Sequence, residues 1–168
     1  MAHPLVDQLR FTRSEFMSAV RGVSEEDARR RLMPMNAIGW NVGHLAWQEQ
    51  RYFLTFAQGE TPYPDVAEEF AVGAPGTPEL ARVLAAWRDI TKRADAWLDT
   101  VSAESLLEHV MRNGKPTARM YGNMLQRVIY HYWYHTGETM AVRQMLGHER
   151  LPQFVGNIDD RAPYRPDR

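Results

Sequence analysis

The sequence contains no cysteine. That excludes disulfides, a protein thiolate nucleophile and any zinc site built on sulfur. A metal must then be held by His, Asp or Glu, and any thiol chemistry must take its sulfur from a small molecule. Neither sign of charge is in excess: 20 Lys and Arg stand against 21 Asp and Glu, a formal net charge of -1. There is no basic surplus to suggest nucleic acid and no acidic run to suggest a disordered tail. No apolar run approaches the length of a membrane span. The opening MAHPLVDQLR lacks the apolar core of a secretion signal. These absences predict a soluble, cytoplasmic protein with neither nucleic-acid nor membrane partners. With 168 residues the chain suits a single domain, 1–168, large enough for a hydrophobic core.

Helical periodicity dominates what is present. Pro4 suits the first position of a helix reaching about Arg21, where Gly22 stops it. Ser24 starts a short acidic helix, and Pro34 ends that piece. Asn36 is placed to cap a second long helix from Ala37 to Gln58, closed by Gly59. Residues 59–76 hold three prolines and three glycines and read as a long surface connection. Thr77-Pro78-Glu79 reads as the start of a third helix, running to about Thr100, and Ser102 begins another short turn. Asn113-Gly114 signals a short hairpin. The last long helix spans about Tyr121 to Leu146 and ends at Gly147. The tail, 148–168, has no period and reads as a wrapped extension anchored by Phe154, Val155 and Tyr164. Four long helices predict an all-α four-helix bundle with short connecting helices and an irregular C-terminal tail.

The stretch YHYWYHTGE, residues 130–138, interrupts that pattern. At 100° per residue, His131 and His135 lie about 40° apart on one helix face. Met124, Val128, Val142, Met145 and Leu146 share that face, which is the natural core side, and so does Glu138. Burying three ionisable groups without partners costs a few kcal/mol apiece, so something must compensate. An i, i+4 histidine pair brings two imidazole nitrogens to one point, a common way for a helix to offer a metal two ligands. A third ligand should come from another helix. Of the remaining histidines, only His44 lies inside a long helix; His3 sits near a loose terminus, His109 by the hairpin and His148 after Gly147. A hydrogen-bonded core pair with Glu138, or a pH-sensitive cluster, fits the same spacing.

Two segments resemble the DinB/YfiT-like family. NAIGWNVGHLAWQEQRYF looks like its second helix, with Trp40 and His44 in the Trp-x-x-x-His pattern. VIYHYWYHTGETMAVRQMLG is similar to its last helix: His131, His135, Gly137, Leu146 and Gly147 match, and Glu138 stands where Gln is common. The resemblance implies a four-helix bundle, frequent dimers, and a divalent metal held by His44, His131 and His135. Relatives in that family include transferases using mycothiol, bacillithiol or glutathione and a mycothiol-dependent maleylpyruvate isomerase.

Three neutral ligands leave a divalent metal its full charge and open positions, the pattern of a catalytic site. Zinc is the first choice, and nickel and iron also suit imidazole. Such a metal activates a bound water or a low-molecular-weight thiol. On the face of His44, Gln48 is placed to orient a bound water or substrate, and Arg51 to hold a carboxylate. Glu138 is placed to accept from an imidazole N–H or to act as a general base. The expected activity is transfer of a thiol to a small electrophile. The alternatives are a hydrolase using metal-bound hydroxide and a non-catalytic metal-binding stress-response module. A small-molecule substrate and a homodimer built on the tyrosines and tryptophans complete the expectation.

Overall fold

The computed structural model describes residues 2–74 and 76–166. Its long helices are α1 (Pro4–Val20), α3 (Ile38–Glu49), α5 (Leu80–Leu98) and α7 (Tyr121–Met145). Between and after them lie α2 (Glu25–Arg29), α4 (Pro64–Phe70), α6 (Ala103–Leu106) and α8 (Ile158–Arg161). A two-stranded antiparallel hairpin, β1 (His109–Arg112) and β2 (Lys115–Met120), precedes α7. The protein is all-α apart from this hairpin. α1 packs on α7, and α3 packs on both α5 and α7. Val6, Leu9, Phe16, Val42, Leu45, Ile90, Met124 and Val128 form part of the shared core.

Local chemistry explains most boundaries. Pro4 opens α1, and His3 caps it: Nδ1 accepts from the Leu5 N–H at 3.2 Å. The terminus is therefore tied down at His3 rather than loose. Ser24 caps α2 by accepting from the Asp27 N–H at 3.0 Å. Asn113 and Gly114 both take positive φ, 51° and 72°, the backbone a tight hairpin of this twist requires.

Several expectations are corrected. The connection 59–76 is not a bare loop, because α4 forms within it with Pro64 at its first turn and Asp65 just after. Asn36 does not cap α3; Ala37 precedes that helix with no side-chain cap, and Asn36 bonds Glu138 instead. Thr77 and Pro78 do not begin α5. The helix starts at Leu80, where the Glu25 carboxylate accepts from the Leu80 and Ala81 N–H groups at 2.7 and 2.8 Å. A long-range carboxylate therefore does the work that a local cap was expected to do. Met145 leaves the apolar stripe and is exposed. The tail is not anchored by Val155 and Tyr164, which are exposed, and Phe154 is only half-buried. Backbone and charge hold it instead. Gln8 donates to the Ala162 carbonyl at 2.7 Å, the Val155 N–H donates to Glu15 at 2.8 Å, and Arg165 pairs with Asp7.

After Glu49 the helix widens into a π-helical stretch, Gln50–Phe56. Such stretches shift the helical register and re-aim the side chains that follow. Just before it lies a buried polar network that joins all four long helices. Arg13 of α1 binds Glu49 of α3 through two bonds, 2.7 and 2.6 Å. Tyr132 of α7 donates to Glu49 at 2.9 Å, and Trp87 of α5 donates to the Tyr132 hydroxyl at 2.6 Å. Arg13 also reaches Asp95 of α5 at 2.9 Å. The network fixes α3 against α7, and the preceding residue on each helix, Gln48 and His131, belongs to the site.

Candidate metal centre

His44, His131 and His135 converge. One ring nitrogen from each lies within 4.8 Å of the other two. The Nε2 atoms of His131 and His135 are 3.1 Å apart. Three nitrogens on one tetrahedral zinc at 2.0–2.1 Å would stand about 3.4 Å from one another, so the spacing fits a shared ion.

The tautomers strengthen that fit. Each Nδ1 faces an oxygen: His44 the Phe70 carbonyl at 2.6 Å, His131 Gln48 Oε1 at 2.8 Å, and His135 Glu138 Oε2 at 2.8 Å. A carbonyl or carboxylate oxygen only accepts, so each Nδ1 carries the proton and donates. Each Nε2 of a neutral ring then carries a lone pair. Three such atoms turned on one centre repel unless a cation lies between them. The donor set could thus hold a metal ion, with each imidazole steered by an oxygen behind it.

The sequence around each histidine accounts for its placement. Trp40, one turn before His44, stacks on its ring at 4.4 Å with 14° between planes, and Trp47 lies against it at 5.2 Å. Gly43 makes room for α4. A Cβ there would sit 2.7 Å from the Phe70 ring, so only glycine lets Phe70 close on α3. That approach brings the Phe70 carbonyl to His44. His131 and His135 follow from their i, i+4 spacing on α7.

Electrostatics match the neutral state that metal binding needs. Burial, then the neighbouring His135, push His44 down to about 4, against the opposing pull of the Phe70 carbonyl. Burial, then His135 and His44, push His131 down to about 3. At Glu138 burial raises the pKa, but the bonds from His135 and from the Asn36 backbone and side chain outweigh it and hold the carboxyl at about 2.

Glu138 accepts from His135 Nδ1 and from the Asn36 backbone and side chain. Gln48 is engaged by His131, so its amide oxygen fixes the orientation of that ring. Arg51 is exposed, with its guanidinium 5.4 Å from the centres of the Trp47 and Phe56 rings. It lines a neighbouring concavity rather than the histidine cluster. The sequence reading missed Asn36 and Phe70. Phe70 acts through its backbone carbonyl, which no residue pattern marks, whereas Asn36 carried a polar signal that was assigned to capping.

His44 and His131 open onto a cleft of about 770 Å³, also lined by Trp47, Gln48, Tyr130 and Tyr134. His44 and His135 are both buried, at 4% and 3% exposure, and His135 is not among the residues lining the cleft.

The protein is helical, with a cluster of three histidines that could hold a metal ion beside a cleft. The model of the DinB superfamily matches residues 8–139, which include all three histidines. The chain belongs to that superfamily. No curated protein matches the sequence. Among the described residues, no helix is long and apolar enough to cross a membrane.

Proposed function

We propose that the protein is a metal-dependent transferase that joins a low-molecular-weight thiol to a small electrophile. The observation that carries this reading is the convergence of three Nε2 lone pairs, each fixed by an oxygen on Nδ1, at the floor of an open cleft. A bound divalent ion, with zinc first and nickel or iron as alternatives, supplies a Lewis acid that lowers the pKa of a coordinated thiol or water. The chain has no cysteine, so the sulfur comes from outside. His44, His131 and His135 hold the ion; Glu138, Gln48 and the Phe70 carbonyl keep the three rings neutral on Nε2 and correctly aimed. Trp47, Tyr130 and Tyr134 wall the space where the electrophile lies. The thiol releases its proton to solvent, a sulfur–carbon bond forms, and the electrophile's leaving group departs with its electron pair.

Hydrolysis fits less well. A hydrolase of this kind gains from a free carboxylate base near the attacking water, and among the described residues no Asp or Glu lines the cleft. Glu138 is occupied by His135 and Asn36. A thiol needs no such base once its pKa is lowered. Homodimer formation belongs to the same proposal and is supported by large apolar side chains left exposed, among them Val72 and Met145. Sedimentation of a single monomeric species at micromolar concentration would overturn it.

The test of function combines metal analysis of untagged protein with turnover of a chromogenic aryl halide. The reading predicts one divalent ion per chain and turnover only when glutathione, mycothiol or bacillithiol is added. Ester cleavage without thiol would establish the hydrolase instead. Stoichiometric metal with no turnover of either kind would leave a non-catalytic binding module.

A further inference from the structure

The cleft beside the histidines is walled on one side by a single stripe of α7. Asn123, Gln126, Arg127, Tyr130, His131 and Tyr134 all face it, at the three- and four-residue steps that share one helix face. Arg127 stands one turn before His131, about 6 Å along the helix. On another side, β2 contributes Arg119. Its Nη1 donates to the Tyr52 hydroxyl at 3.2 Å, and its guanidinium lies 5.5 Å from the Tyr52 ring centre.

Among the described residues, no acid balances these cations, and none in the lining of the cleft is Asp or Glu. The adjoining concavity, about 480 Å³, shares Arg119 and Asn123, adds Arg51 and Arg112, and has no acid either. Other arginines are matched: Arg10 with Asp95 and Asp99, Arg82 with Glu69, Arg93 with Asp89. Four guanidiniums without a carboxylate around one mouth are a local departure in a chain of net charge -1. Guanidinium recognises carboxylate through paired, charge-assisted hydrogen bonds. Aromatic walls beside it suit a flat apolar body, and the cleft volume is that of a small-molecule site.

We propose that the cleft binds a small organic acid. Its carboxylate lies between Arg127 and Arg119, its apolar body rests on Tyr130, Tyr134 and Trp47, and its other end reaches the histidine centre. Only that last clause rests on the metal-centre reading under Proposed function; the arginine pair stands apart from it. Arg51 lines only the adjoining concavity, so the carboxylate role that the sequence suggested for it passes to the two arginines of the cleft.

The test is a calorimetric titration of the full chain with benzoate and with its neutral analogue benzamide, at low salt, on metal-loaded and chelator-stripped protein. Benzoate should bind both forms, and benzamide at least tenfold more weakly. Arg127→Gln and Arg119→Gln should each weaken benzoate by about fivefold, the range of a partly exposed charge-assisted contact, and the double variant should show no measurable binding. Arg88→Gln, on α5 and lining neither concavity, should bind as the wild type does. Arg127 is exposed and Arg119 half-buried, and unchanged circular dichroism of the variants confirms that the fold is intact. Equal binding of benzoate and benzamide, no binding in either metal state, or full binding by the double variant would overturn the proposal. So would benzoate binding that needs the metal and ignores the arginines, since the carboxylate would then sit on the ion. Arginine-dependent binding by a protein that takes up no metal would support this inference while refuting the metal-centre reading.

Discussion

Two groups of buried polar side chains lie next to each other between α3 and α7, built from adjacent residues. Glu49 and Tyr132 belong to one; Gln48 and His131 belong to the other. In the first, Arg13, Glu49, Tyr132 and Trp87 satisfy one another, and none of their polar atoms is left buried without a partner. Its charges cancel internally. In the second, each histidine is satisfied on Nδ1 alone, and the Nε2 atoms face one another. A closed network of this kind ties helices together. An open one has polar capacity in excess of what the protein itself fills, and that excess could hold an ion.

The comparison is broken most severely at Glu49. Glu49→Ala removes the partner of Arg13, which is only 5% exposed, and strands a buried cation. The expected loss is about 3–5 kcal/mol of stability, read from urea denaturation. A loss under about 1 kcal/mol would show that the network is not the clamp between helices.

His135→Ala breaks the other cluster without breaking the fold. It should abolish stoichiometric metal binding and activity while leaving the far-ultraviolet circular dichroism unchanged, because Met124, Val128 and Val142 still pack at 0% exposure. Full metal occupancy in this variant would reduce the pair to ordinary core histidines. Gln48→Ala is the sharper contrast, one residue from Glu49. It frees His131 from its steering oxygen and should weaken metal binding about 10- to 100-fold, with stability changed by less than about 1 kcal/mol. If Gln48→Ala and Glu49→Ala had the same signature, the two clusters would not be separate devices.

The smallest effect is in pH. An unperturbed histidine titrates near 6.5, and the sequence alone predicts that metal affinity falls below that pH. Burial moves the His44 and His131 share of proton competition down, toward about 4 and 3. Nuclear magnetic resonance of the metal-free protein should find both rings still neutral at pH 5. Between about pH 6.5 and 4 the unfolded chain takes up protons that the folded one refuses. The metal-free protein should therefore lose stability as pH falls through that window, with a falling melting temperature. A melting temperature flat from pH 7 to 4 would contradict the burial of these rings.

That three histidines cluster was legible in the sequence: His131 and His135 share a helix face, and His44 is the one other histidine inside a long helix, where the resemblance also points. What surrounds the ligands was less legible, because it is assembled over long separations. Asn36 and Glu138 meet across 102 residues, and a polar residue before a helix reads first as a cap. α4 was hidden by the glycines and prolines around it, although Tyr63-Pro64-Asp65 carried a helix-start signal. The start of α5 was misplaced for a related reason: Glu25, on another helix, caps it. The Arg13–Glu49 pair was not foreseen, since each residue taken alone looks like an exposed helical charge.

The central claim is that three histidines share one ion. Diffraction from crystals of metal-loaded, untagged protein, collected at the absorption edge of the bound metal, tests it most directly. The account predicts one anomalous peak per chain, about 2.0–2.2 Å from Nε2 of His44, His131 and His135. A peak elsewhere, or no peak after metal loading with the three rings unchanged, would contradict it.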